Sequence, residues 1–288
     1  MRLLHFLIQY SVNEFPAFFL NELNIKKFVS KNFTDSREVF EILLKRGYKF
    51  EKSGNQNKIF YQIKTNKIKI YLRRNTSDFI VFKEVFLNGG YAFLLKLVEE
   101  NKWPCNNIID AGANIGLFTL CCKASFPRAS VIALEPETGN YFQLKKNILA
   151  NELNNTVSLQ NALWFENTTL FFNNLFRDGR NWAIQFTPIK THENIDGVKT
   201  KTVSEIMKKN NWSGIDIFKI DIEGAEKSLF LNDKQIDVWL PNTKVIAIEI
   251  HDEFNCRKDI ENILKSYNFD LIYNGELTIG VNSKYKTK

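Results

Sequence analysis

The sequence predicts a doubly wound, Rossmann-like α/β sheet that closes with an antiparallel C-terminal hairpin and is preceded by an N-terminal helical and β-hairpin extension. Three observations predict it. From residue 107 onward, short apolar runs alternate with amphipathic stretches, the order that lays helices on both faces of a parallel sheet. The first run leads into the turn Asp110-Ala111-Gly112-Ala113-Asn114-Ile115-Gly116. The second ends on Glu135, 25 residues after Asp110.

Residues 1 to about 50 read as helical, with apolar faces at Phe15-Pro16-Ala17-Phe18-Phe19-Leu20 and Val39-Phe40-Glu41-Ile42-Leu43-Leu44 and a stop at Gly47. Such faces pack on a larger body or form the interface of a homo-oligomer. Ile59-Phe60-Tyr61-Gln62-Ile63 and Ile68-Lys69-Ile70-Tyr71-Leu72 flank the polar turn Lys64-Thr65-Asn66-Lys67, the pattern of a β-hairpin. Phe79, Val81, Phe82, Val85 and Phe86 fit a helix, which Ser77 or Asp78 can cap. A second helix covers Tyr91 to Glu99. The extension is therefore assigned to residues 1–100 and the main domain to 101–288.

In the main domain, Ile108-Ile109-Asp110-Ala111 reads as a buried strand, 115–125 as a helix, 130–135 as a strand, 138–149 as a crossover helix and 157–161 as a third strand. Thr168 to Phe172 reads as another strand, and Arg177 to Thr200 as an extended surface connection that can shape a pocket. A short helix at 203–209, strands at 215–222 and 244–250 and a helix at 256–267 follow. The chain ends in strands 269–273 and 277–281, with Asn274-Gly275 suited to the turn because both residues tolerate positive φ.

The bulk properties narrow the function class. At 288 residues, 44% hydrophobic and 25% charged, the chain is long enough for a packed core and excludes global disorder. The formal charge is +7, yet the basic residues are interleaved with acidic ones and build no tract. No dedicated nucleic-acid partner is expected, and attraction to an anionic acceptor or membrane stays open. Cys105, Cys121, Cys122 and Cys256 have no zinc-ligand spacing and read as reduced thiols. No cleavable leader pattern and no run of roughly 18 apolar residues is present. A cytoplasmic location is expected, with contact at the periphery of the inner membrane left open.

Gly112 and Gly116 remove side chains where the backbone must turn toward a ligand, and Asn114 can brace that turn. Glu135, at a strand end, can accept hydrogen bonds from two ribose hydroxyls. A nicotinamide cofactor competes for this pattern, but its G-x-G-x-x-G turn differs from Gly112-Ala113-Asn114-Ile115-Gly116. Asp110 also tolerates a cationic, amino-acid-bearing cofactor better than a pyrophosphate. The charge argument favours S-adenosylmethionine (AdoMet).

The segments 109–119, Ala133-Leu134-Glu135-Pro136 and 217–226 together closely resemble the FkbM family of AdoMet-dependent methyltransferases, with Leu72 to Asp78 and Glu249-Ile250-His251 extending the likeness over roughly residues 70 to 280. The resemblance implies a class I methyltransferase sheet with AdoMet along its carboxyl edge. Asp110 and the turn Gly112, Ala113, Asn114 and Gly116 would hold the methionine portion, Glu135 the ribose, and Asn161 and Ala162 the region near adenine. Arg73 and Asp78 would be cofactor-side or pocket-closing residues, or a purely structural hairpin–helix junction.

On the acceptor side, Asp221 and Glu223 follow an apolar strand. Asp221 can orient the methionyl amine or the acceptor, and Glu223 can aim a hydroxyl or act as a base; hydrogen bonding at the strand end is their plain alternative. Glu249 and His251 alternate with Ile248 and Ile250, so both point to one side of their strand. His251 is expected to act on the acceptor while the carboxylates orient it. Asp221, Glu249 and His251 also offer ligands to Mg²⁺ or Mn²⁺, but no dense ligand motif groups them and a divalent metal is not favoured. Trp164, Phe165, Trp182 and Phe186 can line an acceptor pocket or pack in the core. The family resemblance implies O-methylation of a sugar, glycolipid, polysaccharide or natural product, with a bacterial saccharide hydroxyl as the leading acceptor. An NAD-dependent sugar oxidoreductase and a non-catalytic AdoMet-binding module are the alternatives.

Overall fold

The computed structural model describes residues 31–173, 185–187 and 197–286. The helical segment around Phe15 to Leu20 and the pocket candidate Trp182 lie outside the described residues.

A seven-stranded sheet carries the main domain: β4 (Asn107–Ala111), β5 (Ser130–Leu134), β6 (Thr156–Leu159), β11 (Ile215–Ile220), β12 (Thr243–Glu249), β13 (Phe269–Asn274) and β14 (Leu277–Asn282). Its spatial order is β13-β14-β12-β11-β4-β5-β6. All neighbours from β12 to β6 are parallel, and β14 runs antiparallel to both β12 and β13. The chain winds from β4 outward through β5 to β6, then returns to lay β11 on the other side of β4. That reversal opens a crevice above the carboxyl ends of β4 and β11, where α/β sheets of this kind bind ligands.

The two-residue strand period explains the layers. Ile108, Val131, Ile217 and Val245 lie in the core on one face, and Ile109, Ile132, Phe218 and Ile246 in the core on the other. The first face is covered by α3 (Ala92–Glu100) and α4 (Leu117–Ser125), the second by α6 (Val203–Lys209), α7 (Glu226–Asn232), α8 (Ile236–Trp239) and α9 (Arg257–Ser266). The extension joins the first face. Val39, Phe40 and Leu43 of α1 (Lys31–Lys45) share that core with Ile59, Ile70 and Leu72 of a three-stranded antiparallel sheet, β1 (Lys49–Ser53), β2 (Gln56–Ile63) and β3 (Asn66–Arg73). The open edge of β3 is covered by the amides of α5 (Thr138–Ala150) and its cap. Asn147 Oδ1 accepts from Tyr71 N at 2.8 Å, and Asn151 Oδ1 accepts from Lys69 N at 2.7 Å. Polar side chains at i and i+4 of one helix thus stand in for a missing strand.

Several elements depart from the sequence expectations. The hairpin turn contracts to Lys64-Thr65, with Lys64 at φ 54°, and β1 adds an unforeseen third strand. The helix expected over 79–86 splits into α2 (Asp78–Phe82) and a π-helical turn, Lys83–Leu87. Ser77 makes no side-chain cap to it, and the Asp78 carboxylate is taken by Arg73 instead. The helix expected from residue 115 starts at Leu117 because Gly116 sits at φ 86°, outside helical space. The strand expected over 157–161 stops at Leu159, and β7 (Ala162–Leu163) leaves for a separate four-stranded sheet with β8 (Thr169–Asn173), β9 (Gln185–Thr187) and β10 (Gly197–Lys201). The surface connection expected over 177–200 therefore holds strand segments. The terminal hairpin turns at Gly275-Glu276, one residue later than expected, with φ 61° at Gly275. No helix among the described residues is long and apolar enough to cross a membrane.

Candidate functional site

The crevice holds two adjoining cavities of about 240 and 540 Å³. Gly112, Asn114, Asp221 and Glu223 line both, so the turns after β4 and β11 form their common wall. The smaller cavity also meets Glu135, Asn140, Ala162, Trp164 and Phe254; the larger meets Tyr91, Lys219, Glu249 and the terminal hairpin turn.

Backbone geometry makes the common wall. Gly112 is at φ 71°, and a Cβ there would lie 1.7 Å from the Asp221 carbonyl oxygen, so the two turns are in direct backbone contact. Asn114 and Glu223 also take positive φ, 49° and 54°. Asn adopts this region readily, whereas Glu does so at a cost of order 1 kcal/mol. Gly224 follows at φ 96°, and any side chain there would strike the Phe254 ring. Gly116 instead serves packing: its absent Cβ would meet Leu144 Cδ1 at 2.5 Å.

Glu135 is 5% exposed, and both carboxylate oxygens are engaged. Oε2 accepts from Asn114 N at 2.8 Å and Oε1 from Glu137 N at 2.9 Å. Each oxygen retains a second lone pair for a ligand. Burial pushes its pKa up to about 7. Glu137 then caps α5 by accepting from Gly139 N and Asn140 N.

Asp110 lines neither cavity. It is fully buried beneath the glycine turn, where Oδ2 accepts from Thr119 Oγ1 at 2.6 Å. Its Oδ1 has no hydrogen-bond partner and faces the Lys219 ammonium at 3.6 Å. Burial raises the Asp110 pKa against the pull of Lys219. Lys219 had no role in the sequence reading. It sits on β11 between apolar neighbours, 3% exposed, and donates to Ala111 O at 3.2 Å and Gly112 O at 2.5 Å. It also pairs with Asp221 Oδ2 at 3.3 Å. Burial opposes its charge, but Asp221 and Asp110 more than compensate and hold the ammonium protonated. The visible signal was a lone lysine inside the otherwise apolar run Ile217-Phe218-Lys219-Ile220.

On the far side, His251 is 3% exposed and sits between carboxylates. Nδ1 lies 3.1 Å from Glu226 Oε1, and Nε2 forms an ion pair with Glu223 Oε2 at 3.3 Å. Glu249 Oε1 is 4.0 Å from the same Nε2. Burial disfavours the imidazolium, but Glu223 and Glu226 outweigh it and raise the pKa to about 11. Glu226 was also missed. It is fully buried and accepts from Ile222 N at 3.0 Å, so it braces the Asp221–Gly224 turn while pairing His251. Glu249 is pushed up to about 8, first by burial, then by Asp221, with His251 pulling the other way. Donor atoms of Asp221, Glu249 and His251 lie within 4.8 Å of one another, close enough to share a cation.

The remaining candidates stand outside the cavity walls. Arg73 and Asp78 pair with each other, Nη2 to Oδ1 at 2.7 Å, and Arg73 Nη2 also donates to Asn140 Oδ1 at 2.6 Å. They touch the smaller cavity through Asn140 alone. Asn161 donates Nδ2 to Lys199 O at 2.8 Å, whereas its neighbour Ala162 does line that cavity. Ala113 lines the larger one. Trp164 lines the smaller cavity with its Nε1 buried and without a hydrogen-bond partner, and Phe165 packs behind it at 5.2 Å between ring centroids.

A family model for the methyltransferase FkbM domain matches residues 110–271, more than half of the chain. Methyltransferase sdnD of Sordaria araneosa is 26% identical over 241 residues, covering 73% of this chain and 88% of that protein. Methyltransferase 1 of Beauveria bassiana (strain ARSEF 2860) is 25% identical over 202 residues, covering 62% and 77%. Among solved structures, methyltransferase FkbM from Methylobacillus flagellatus KT aligns with a TM-score of 0.44 at 15% identity over 62% of this chain; the match spans 43% of that protein's chain.

Proposed function

The chain belongs to the FkbM family and is an AdoMet-dependent methyltransferase, and from that premise we propose that it methylates a hydroxyl of a sugar, glycolipid, polysaccharide or related natural product. The observation that carries the reading is the pair of cavities meeting at Asp221 and Glu223, with Glu135 in one and Glu249 in the other.

The residues fit the cofactor. Glu135 has lone pairs left for a ribose diol, the buried Trp164 Nε1 lacks a partner in the wall of the same cavity, and the bare Gly112 backbone admits close approach. In this assignment Glu135, Ala162 and Trp164 hold the nucleoside. Gly112, Ala113, Asn114 and Asp221 hold the amino-acid end, and Asp110 with Lys219 stiffens the turn from below. Arg73 and Asp78 act at one remove, by fixing Asn140. Bound AdoMet supplies an activated methyl group on sulfonium, so alignment of the acceptor contributes much of the acceleration.

The acceptor hydroxyl lies in the larger cavity. An imidazolium has no lone pair to take a proton, and His251 is held in that form between Glu223 and Glu226. The base role expected of His251 therefore passes to Glu249. A carboxylate whose pKa is about 8 is half ionised near neutrality and receives the hydroxyl proton on its Oε atoms. His251 holds Glu223 in place and keeps Glu249 from being still harder to ionise.

The test is incubation with methyl-labelled AdoMet and fractionated glycans or lipids, followed by mass analysis. Label on oxygen in a hydroxylated product is the expected result. Label only in protein or RNA would overturn the substrate class.

A further inference from the structure

The geometry points to an acceptor that carries a protonated amine beside the hydroxyl to be methylated. This rests on the O-methyl transfer reading and narrows its substrate. The net charge of +7 would by itself favour an anionic acceptor, but the larger cavity has the opposite sign. Glu84, Asp221, Glu223, Glu249 and Glu276 line it against one cationic side chain, Lys219.

That one cation is spent. Lys219 is buried, pairs with Asp110 and Asp221, and donates to two backbone carbonyls. A phosphate or carboxylate on the acceptor would meet carboxylates with no ammonium free to answer it. Asp221 lies at the junction and suffices for the cofactor's own amine. Glu249 and Glu276 line the larger cavity alone, so their charge is available to the acceptor. An ammonium offers three donors to such a pair, whereas a hydroxyl offers one. Glu276 is also near enough to raise the Glu249 pKa, as expected of carboxylates awaiting a cation.

A divalent metal is the rival occupant of this charge. The nitrogen donor it would need is His251, and metal binding requires a neutral imidazole. Both His251 nitrogens face carboxylates, which favours the imidazolium. The donor chemistry therefore favours an organic cation.

The experiment uses the full chain, methyl-labelled AdoMet and a glycan and lipid extract split beforehand by ion exchange into cationic, neutral and anionic pools. About tenfold more label per acceptor is expected in the cationic pool at low salt, with the margin shrinking at high salt. Acetylating the amines of that pool should remove the margin. Glu276→Gln, at an exposed hairpin tip, should narrow the cationic preference while AdoMet affinity measured by calorimetry is retained. Label concentrated in the neutral or anionic pool overturns the amine and leaves O-methyl transfer standing. Label in the neutral pool that requires Mg²⁺ and disappears with chelator also overturns it, and assigns the carboxylates to a metal. Methyl found on nitrogen overturns this inference together with the O-methyl reading. No labelled pool despite bound AdoMet does the same.

Discussion

The two edges of the seven-stranded sheet use the same strands and treat charge in opposite ways. At the amino edge, Asp216 Oδ2 accepts from the backbone N–H groups of Asn106 and Asn107 at 2.7 and 3.0 Å. Its Oδ1 accepts from Lys244 Nζ at 2.5 Å, and Lys244 also donates to Pro104 O. One carboxylate meets one ammonium, and both are used up in closing the sheet. At the carboxyl edge, Asp110, Asp221, Glu223, Glu226 and Glu249 crowd around Lys219 and His251. Carboxylates outnumber cations there, and the pKa values of Asp110, Glu249 and His251 rise. Balanced pairs support a fold, whereas an unbalanced, buried surplus is maintained where a ligand will supply the missing charge.

Four substitutions probe that contrast. Glu249→Gln should have the largest effect, lowering kcat by roughly 10²–10³ while AdoMet affinity holds. The wild-type rate should rise with pH around the Glu249 pKa of about 8, and the variant should lose that limb. An unchanged pH profile would remove Glu249 from the base role.

His251→Gln strands Glu223 and Glu226 without their cation and should cost about 3–5 kcal/mol in a denaturant titration. The pH dependence has a definite sign. The folded pKa of about 11 stands above the ordinary 6.5, so this stabilisation is complete below pH 6.5 and is lost as pH rises toward 11. Wild-type stability should fall across that alkaline window, and the variant should lack this component of the slope.

Glu135→Ala removes the charged acceptor for the ribose and releases Asn114 N. AdoMet affinity should drop tenfold to hundredfold, roughly 1.5–3 kcal/mol. Unchanged affinity in calorimetry would disconnect Glu135 from the cofactor. The smallest effect is expected at the amino edge. Asp216→Asn should cost about 1 kcal/mol of stability and leave AdoMet affinity within about twofold. A large loss of binding there would show that the edges are coupled and collapse the comparison.

Local features of the site were legible in the chain. The positive φ at Gly112 and Asn114, the end of β4 at Ala111 and the placing of Glu135 at the end of β5 all follow from a few neighbouring residues. Asp221, Glu223, Glu249 and His251 were legible as polar residues at strand ends. Lys219, Glu226 and Tyr91 were not, because a buried polar group takes its role from whatever lies across the sheet. The split after Leu159 escaped for the same reason. Ala162 and Leu163 look like the continuation of β6, and their pairing with Thr200 and Lys201 of β10 depends on residues far along the chain.

The sequence by itself therefore determined the strand–helix order, the glycine turn and the family, since these rest on periodicity and spacing between near neighbours. Only the tertiary structure decided which groups carry charge and toward what. Burial and Coulomb interactions act through space, and folding gathers Asp110, Glu135, Lys219, Asp221 and Glu249 from four different strands onto one edge. That gathering turns His251 into a fixed imidazolium and Glu249 into the group able to move a proton. It also gives an acidic cleft to a chain whose net charge is positive.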